Sequence, residues 1–200
     1  MGVGARGVAP DLAFNLFDAP APDHPLPASP RLLLSFRADQ RPEQAAEAEA
    51  LALATARVVG AGAITCFAQV RLDEDPTTRL AASLESEGAT THVVVSRSIA
   101  ASEAALAGAD LVLTNRLHVA LLALALGRPT IVARGVERQT KLDGALEGAG
   151  RPELLHWIRD TDPAAITRRV HAATQRLDGR PARAALRATI AGLFDGGASG

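Results

Sequence analysis

The feature that most constrains the fold is a regular alternation of short apolar runs with longer helical stretches, which begins after Pro30. The apolar runs are continuous, as in strands that are buried on both faces of a sheet. Alternating strands and helices require crossover connections, which give a parallel sheet. We therefore predict an α/β, Rossmann-like fold in which a mainly parallel sheet has helices on both faces. Strands are predicted at 31–36, 63–68, 92–95, 110–114 and 130–133, with a weaker one at 154–158, and helices near 42–58, 76–87, 98–107, 116–126 and 138–148, with a terminal helical region over 163–193.

The chain divides by composition into three parts. Residues 1–30 are rich in proline and glycine and are predicted to form an extended lead-in. Residues 31–195 are predicted to form the Rossmann-like domain, and residues 196–200 a short tail. Three early glycines match a dinucleotide-binding spacing, but no strand precedes them and no helix follows, so we reject that motif: Gly2, Gly4 and Gly7.

Charge and cysteine content exclude several classes of function. The net charge is −1 and the charges are spread along the chain, so the basic stripe of a nucleic-acid binder is absent. The single cysteine, Cys66, lies in an apolar run and is interpreted as a small buried side chain rather than a nucleophile. No spacing of cysteine, histidine or carboxylate residues resembles a metal site, and no cofactor is expected. With no secretory signal, and an apolar run at 119–126 too short to span a bilayer, we predict a cytoplasmic protein.

The most informative segment is 109–127, a predicted strand followed by a very apolar helix. Asn115 is predicted to cap this helix, because its side chain can accept a hydrogen bond from a first-turn amide. The only ionisable residues of the helix, Arg116 and His118, stand in its first turn, which also carries unpaired amides and the positive end of the helix dipole. These groups favour binding of a phosphate or carboxylate, with His118 able to act as an acid or base. In the alternative interpretation, Arg116 bonds a nearby carbonyl and His118 is structural.

Other candidates follow the carboxyl ends of neighbouring strands, where ligands bind in open parallel sheets. Arg37 follows the first strand, although it could equally be an ordinary surface arginine. Lys141 is the only lysine of the chain and could reach a phosphate or remain in solvent. Three polar residues after the second strand are expected to serve mainly as loop polarity and a helix cap, with acceptor hydroxyls as an alternative ligand: Gln69, Asp73 and Asp75.

At the strand–helix segment the sequence resembles the polysaccharide pyruvyltransferase family. The run 109–118, which ends in Arg116-Leu117-His118, is similar to the signature of that family, and 124–130 continues it. Residues 141–146, 150–154 and 33–37 resemble flanking parts of the same family. The resemblance implies that this chain corresponds to the carboxyl-terminal half of a two-domain fold similar to GT-B glycosyltransferases.

Family members transfer the pyruvyl group of phosphoenolpyruvate to two hydroxyls of a sugar, which forms a cyclic ketal and releases phosphate in exopolysaccharide biosynthesis at the cell envelope. The resemblance thus implies a small-molecule donor and a saccharide acceptor. Arg116 would hold the anionic groups of the donor, and His118 would bind phosphate or move a proton. Arg37, Asn115 and Lys141 are the further candidates for substrate binding.

By this resemblance we expect the chain to lack the amino-terminal domain of the family, which would form the other wall of the cleft and much of the acceptor site. We expect a fragment, an unusually short homologue, or a partner chain that supplies the missing half, and this half alone is expected to be weakly active or inactive. Two other functions stay open. One is a GT-B glycosyltransferase half that binds a nucleotide sugar, for which Glu137 is a poor candidate ribose contact. The other is a non-catalytic remnant that acts as a binding module.

Overall fold

The computed structural model describes residues 25–37, 42–135, 140–148 and 151–175, in which strands and helices alternate. The strands are β1 (Arg31–Ser35), β2 (Ala63–Ala68), β3 (Thr91–Val95), β4 (Leu111–Thr114), β5 (Thr130–Arg134) and β6 (Leu155–Trp157). The helices are α1 (Pro42–Val59), α2 (Glu74–Ser86), α3 (Ile99–Ala107), α4 (Leu117–Ala125), α5 (Thr140–Gly148) and α6 (Pro163–Thr174). Short 3-10 turns precede α2 and β6, at Arg71–Asp73 and Pro152–Leu154.

The strands form one sheet in the order β3-β2-β1-β4-β5-β6, and each neighbouring pair is parallel. This is the strand order of the Rossmann fold. The predicted α/β class with a mainly parallel sheet is therefore confirmed. Most of the predicted lead-in and the whole tail lie outside the described residues, so the predicted domain boundaries stay predictions.

Helices cover both faces of the sheet, as predicted. Successive residues of a strand point to opposite faces, and the two sides of β1 accordingly join different apolar clusters. Leu32 and Leu34 pack in a cluster with side chains of α1, α2, α6 and one side of α4, whereas Leu33 packs in a second cluster with α3 and the other side of α4. These strands are buried on both sides, which explains why their sequences are continuously apolar.

The predicted helix boundaries are mostly close to the observed ones. Pro42 and Pro163 are the first residues of α1 and α6, where a missing backbone donor costs little. Gly127 ends α4 with a φ of +69°, the left-handed conformation that favours glycine after a helix. Gly88 follows α2 in the same way with a φ of +88°, whereas Gly108 after α3 keeps a right-handed φ of −77°.

The helices that the structure describes include none with both the length and the apolar character that a membrane span requires.

Candidate functional site

The predicted site residues lie where the strand order of the sheet reverses. β1 has β2 on one side and β4 on the other, so the chain moves outward in both directions from this point. Ligands of open α/β sheets bind beyond the carboxyl ends of the strands at such a switch point. The last paired residues there are Ser35 of β1 and Thr114 of β4. Arg37 and Arg116 each follow two residues later, so the two arginines stand at the same level of the sheet edge.

Hydrogen bonds join the segments that leave these two strands. The Thr114 hydroxyl donates to the Ser35 carbonyl at 2.6 Å. Asn115 Oδ1 accepts from the Arg37 amide at 2.6 Å, and Asn115 Nδ2 donates to the Arg37 carbonyl at 3.4 Å. The amide and carbonyl of Arg37 are thus hydrogen-bonded by the Asn115 side chain, beyond the last paired residues of β1 and β4. Asn115 holds Arg37 next to the start of α4.

The prediction that Asn115 caps α4 is wrong. The helix begins at Leu117, and Arg116 is the N-cap residue, whose carbonyl accepts from the Ala120 amide at 3.0 Å. The Arg116 amide donates to the Thr114 hydroxyl at 3.0 Å, and the Asn115 side chain is used by the segment after β1. The physical reason is tertiary: the exposed backbone of Arg37 lies beside Asn115 because β1 pairs with β4.

The guanidinium of Arg116 forms an ion pair with Asp73 through Nη2 and Oδ2. Asp73 is the residue before α2, and its carboxylate crosses the end of β1 to reach Arg116. The Arg116 side chain is 15% exposed and the Asp73 side chain is 2% exposed, so water screens the attraction between them poorly. Asp73 occupies the N-cap position of α2, but its side chain makes no capping hydrogen bond. A ligand at Arg116 must share the guanidinium with Asp73 or displace this carboxylate.

The Nε atom of Arg116 is buried and makes no hydrogen bond within the part of the chain that the structure describes. A guanidinium can donate five hydrogen bonds, and the Asp73 contact uses one side of the group. The remaining capacity of Arg116 is compatible with binding an additional anion. In the alternative interpretation the Arg116 guanidinium would donate to a neighbouring carbonyl. The structure instead gives it a carboxylate partner and leaves Nε without a hydrogen bond among the described residues.

His118 is the second residue of α4 and is exposed. Behind it the helix is packed into the core, with Val119, Ala120 and Leu121 each 1% exposed. Although the helix is very apolar, it is not buried on every side, since Leu122 and Ala125 are only partly buried. The imidazole therefore stands on the solvent side of a fixed helix, close to the first-turn amides.

Arg37, Asn115, Arg116 and His118 are thus brought to one edge of the sheet. Lys141 is the second residue of α5, and its side chain lies outside the described part of the chain. Gln69 is partly buried in the loop after β2, and Asp75 is exposed in the first turn of α2. Among the described residues, no group of three or more histidine, cysteine or carboxylate side chains could hold a metal ion.

Sequence reasoning missed Arg134, the last residue of β5. Thr114 pairs with Val132, so Arg134 stands level with Arg116 on the next strand. Its Nη1 lies 3.8 Å from Oδ2 of the buried Asp143, and its Cζ lies 3.7 Å from the ring centroid of Trp157. The available signal was an arginine that ends an apolar run before a loop, as Arg37 does after β1. Three adjacent strands therefore each carry an arginine at this edge.

Cys66 does not belong to the site. It lies inside β2 and is 0% exposed, as the interpretation of a small buried side chain requires. Burial, with a smaller contribution from Glu85, raises the pKa of its thiol to about 12. A thiol with this pKa is not a nucleophile near neutral pH.

The family model for polysaccharide pyruvyl transferase matches residues 6–134, which is more than half of the chain. The chain belongs to this family. The matched region includes the switch point between β1 and β4 and ends at Arg134. The sequence resemblance based on Arg116-Leu117-His118 is thereby confirmed, and the family is one of transferases.

Among solved structures, the chain is similar to the E. coli heptosyltransferase WaaC with ADP-2-deoxy-2-fluoro heptose. The two are 22% identical with a TM-score of 0.42, and the match covers 56% of this chain and 35% of that chain. The present chain therefore spans about a third of the length of that heptosyltransferase. No curated protein matches this chain.

Proposed function

We propose that this chain is a polysaccharide pyruvyltransferase, or the donor-binding half of one, which uses phosphoenolpyruvate to form a cyclic ketal on a saccharide. The observation that carries the proposal is the position of Arg116 and His118 at the switch point of the sheet, inside the region matched by the family. The donor carries a phosphate and a carboxylate, and both are groups that guanidiniums bind well.

Arg37 and Arg116 are suited to hold the two anionic groups of the donor. They stand level on adjacent strands, which are about 4.8 Å apart, and Asn115 fixes the backbone of one beside the other. First-turn amides of α4 add donors and a positive dipole end for phosphate. Lys141 is the remaining candidate for a phosphate contact and is the second residue of α5, the helix that follows β5.

His118 is suited to proton transfer because it is exposed at the same edge and anchored by a buried helix. In the proposed reaction, a proton adds to the methylene carbon of the donor, so that its central carbon becomes cationic. Two sugar hydroxyls bond to that carbon in turn as its bond to the phosphate oxygen breaks. The hydroxyls lose two protons, of which one balances the new methyl group and one balances the released phosphate. His118 would carry one of these protons.

Other parts of the proposal concern what surrounds the chain. No resident cofactor is needed, because phosphoenolpyruvate supplies the transferred group. A cytoplasmic location agrees with the use of this donor. A second domain or partner chain would complete the cleft, since one wall alone neither excludes water nor orients both substrates.

Isothermal titration calorimetry of the full chain with phosphoenolpyruvate and, separately, with UDP-glucose tests the proposal. Binding of phosphoenolpyruvate alone is the expected result. Binding of UDP-glucose alone would replace the proposal with a nucleotide-sugar site, for which the candidate Glu137 lies outside the described residues. Binding of neither would leave a non-catalytic module.

Variants localise the donor to the switch point. Arg37→Gln and His118→Ala should each weaken phosphoenolpyruvate binding by about tenfold or more, because a hydrogen bond to a charged group contributes about 1.5–3 kcal/mol. Arg97→Gln is the matched control, since Arg97 follows β3 at the same edge but pairs with Glu74 away from the switch point. Equal losses in all three variants would contradict the assignment.

A further inference from the structure

Trp157 is an unusual residue in this chain because it is the only tryptophan and is 44% exposed. It ends β6 at the ligand-binding edge of the sheet, and its backbone pairs in register with Arg134 of β5. Large aromatic side chains usually bury most of their surface in a core. An exposed indole at this edge indicates a contact that a bound molecule would complete.

The guanidinium of Arg134 lies over the indole ring. Its guanidinium carbon lies 3.7 Å from the ring centroid, which is stacking distance for a cation–π contact. The same guanidinium has its Nη1 3.8 Å from the Asp143 carboxylate, which is longer than a hydrogen bond. Arg134 is therefore held between a ring and a carboxylate, and its hydrogen-bonding capacity is not exhausted by them.

The pair lies beside the proposed donor site. Arg134 is level with Arg116 on the adjacent strand, and Trp157 is one strand further. Two strand spacings separate the backbones of Trp157 and Arg116 by about 10 Å along the edge. A molecule bound on Trp157 would therefore lie next to a donor bound at Arg116, and not in its place.

We propose that Trp157 and Arg134 form the subsite for the pyranose ring of the saccharide acceptor. The proposal rests on the function proposed above and assigns a specific surface to the acceptor. The negative face of an indole attracts the slightly positive C–H groups of a pyranose ring, and guanidinium N–H groups donate to its hydroxyls. This pair offers both an aromatic face and hydrogen-bond donors, whereas an exposed aliphatic residue such as Ile99 offers neither.

The fluorescence of the full chain tests the proposal, because all tryptophan emission comes from Trp157. The probes are methyl β-D-glucopyranoside, methyl β-D-galactopyranoside and methyl β-D-mannopyranoside, with glycerol as a control for viscosity. We expect a saturable change in emission and protection from acrylamide quenching with at least one pyranoside. Unchanged emission and quenching with all three would overturn the proposal.

Two arginine variants distinguish a specific loss of pyranoside binding from a general effect of removing a positive charge near Trp157. Arg134→Gln keeps the reporter and should weaken pyranoside binding by about tenfold, as expected when charged hydrogen bonds are lost. Arg159→Gln is the control, because Arg159 follows Trp157 by two residues but pairs with Glu47. Equal affinity in Arg134→Gln and the unchanged chain would overturn the role of Arg134.

The two proposals can fail separately. Trp157→Leu should retain calorimetric binding of phosphoenolpyruvate while losing pyranoside binding in the same instrument. If phosphoenolpyruvate does not bind but a pyranoside still changes the emission, the proposed function fails and the saccharide subsite remains. If phosphoenolpyruvate binds and no pyranoside does, the donor site stands and the subsite is wrong.

Discussion

Replacing Arg116 with glutamine removes the positive partner of a carboxylate that is almost completely buried. The Asp73 side chain is 2% exposed, so water cannot replace the lost guanidinium. Removing one partner of a buried ion pair costs about 3–5 kcal/mol, because the remaining charge is left uncompensated. For a chain of this size, about 2–4 °C of melting temperature is lost per kcal/mol. We therefore expect Arg116→Gln to lower the melting temperature by about 6–20 °C.

Asp73→Asn should cost less than Arg116→Gln. The side chain left behind is then Arg116, which is 15% exposed and reaches water or a solution anion more easily. Inorganic phosphate should accordingly raise the melting temperature of Asp73→Asn more than that of the unchanged chain, because ligand binding to the folded state stabilises it. This difference distinguishes a freed anion site from a simple loss of packing.

Calorimetric melting of the two single variants and the double variant measures the coupling between the side chains, with Arg57→Gln as the control. Arg57 pairs with Glu87 on the surface, with side chains 68% and 48% exposed, and such pairs contribute less than about 1 kcal/mol. If Arg116→Gln costs no more than Arg57→Gln, the Asp73 carboxylate is solvated and the reasoning from burial is wrong.

Three further predictions concern single side chains. Asn115→Ala should destabilise the fold by about 0.5–1.5 kcal/mol in urea melts, because it removes the hydrogen bond that the exposed Arg37 amide donates to the Asn115 side chain; an unchanged midpoint would contradict this bridging role. Cys66 should fail to react with a thiol reagent at pH 8 until urea unfolds the chain, since burial raises its pKa to about 12; fast labelling of the folded chain would contradict its burial. Burial also lowers the pKa of His156 below its ordinary value of 6.5. The unfolded chain then binds a proton that the folded chain does not, so stability should be complete above pH 6.5 and decrease as the pH falls below it. His156→Asn should flatten this dependence in melts at several pH values, and an equally steep dependence would assign it to another group.

The sequence predicted the elements of the fold well because the pattern that defines them is local. Continuous apolar runs mark strands buried on both faces, and β2 was predicted with its observed bounds. β6 was the weakest prediction and is only three residues long. Alternation of strands and helices also implied a parallel sheet, but it did not specify which strands are neighbours.

The contacts of the site could not be predicted because they depend on those neighbours. Asn115 follows the local rule for a helix cap, yet the pairing of β1 with β4 places the backbone of Arg37 within reach of its side chain. Asp73 also has a good capping position, but its carboxylate lies near a guanidinium 43 residues away in sequence. The Asn115 side chain bonds the otherwise unpaired backbone amide of Arg37 instead of a first-turn amide of α4. The Asp73 carboxylate pairs with a charged guanidinium instead of a neutral amide of α2.

In the proposed donor site, the positive charge of Arg116 is already paired with the Asp73 carboxylate before any ligand binds. A guanidinium with limited access to water needs an anion beside it, and Asp73 supplies one from within the protein. A donor with a single carboxylate would compete with Asp73 on nearly equal terms. A phosphate with up to two negative charges and three acceptor oxygens competes better, particularly with the α4 amides beside it. We therefore expect the proposed donor to place its phosphate at Arg116 and its carboxylate at Arg37, which has more solvent access.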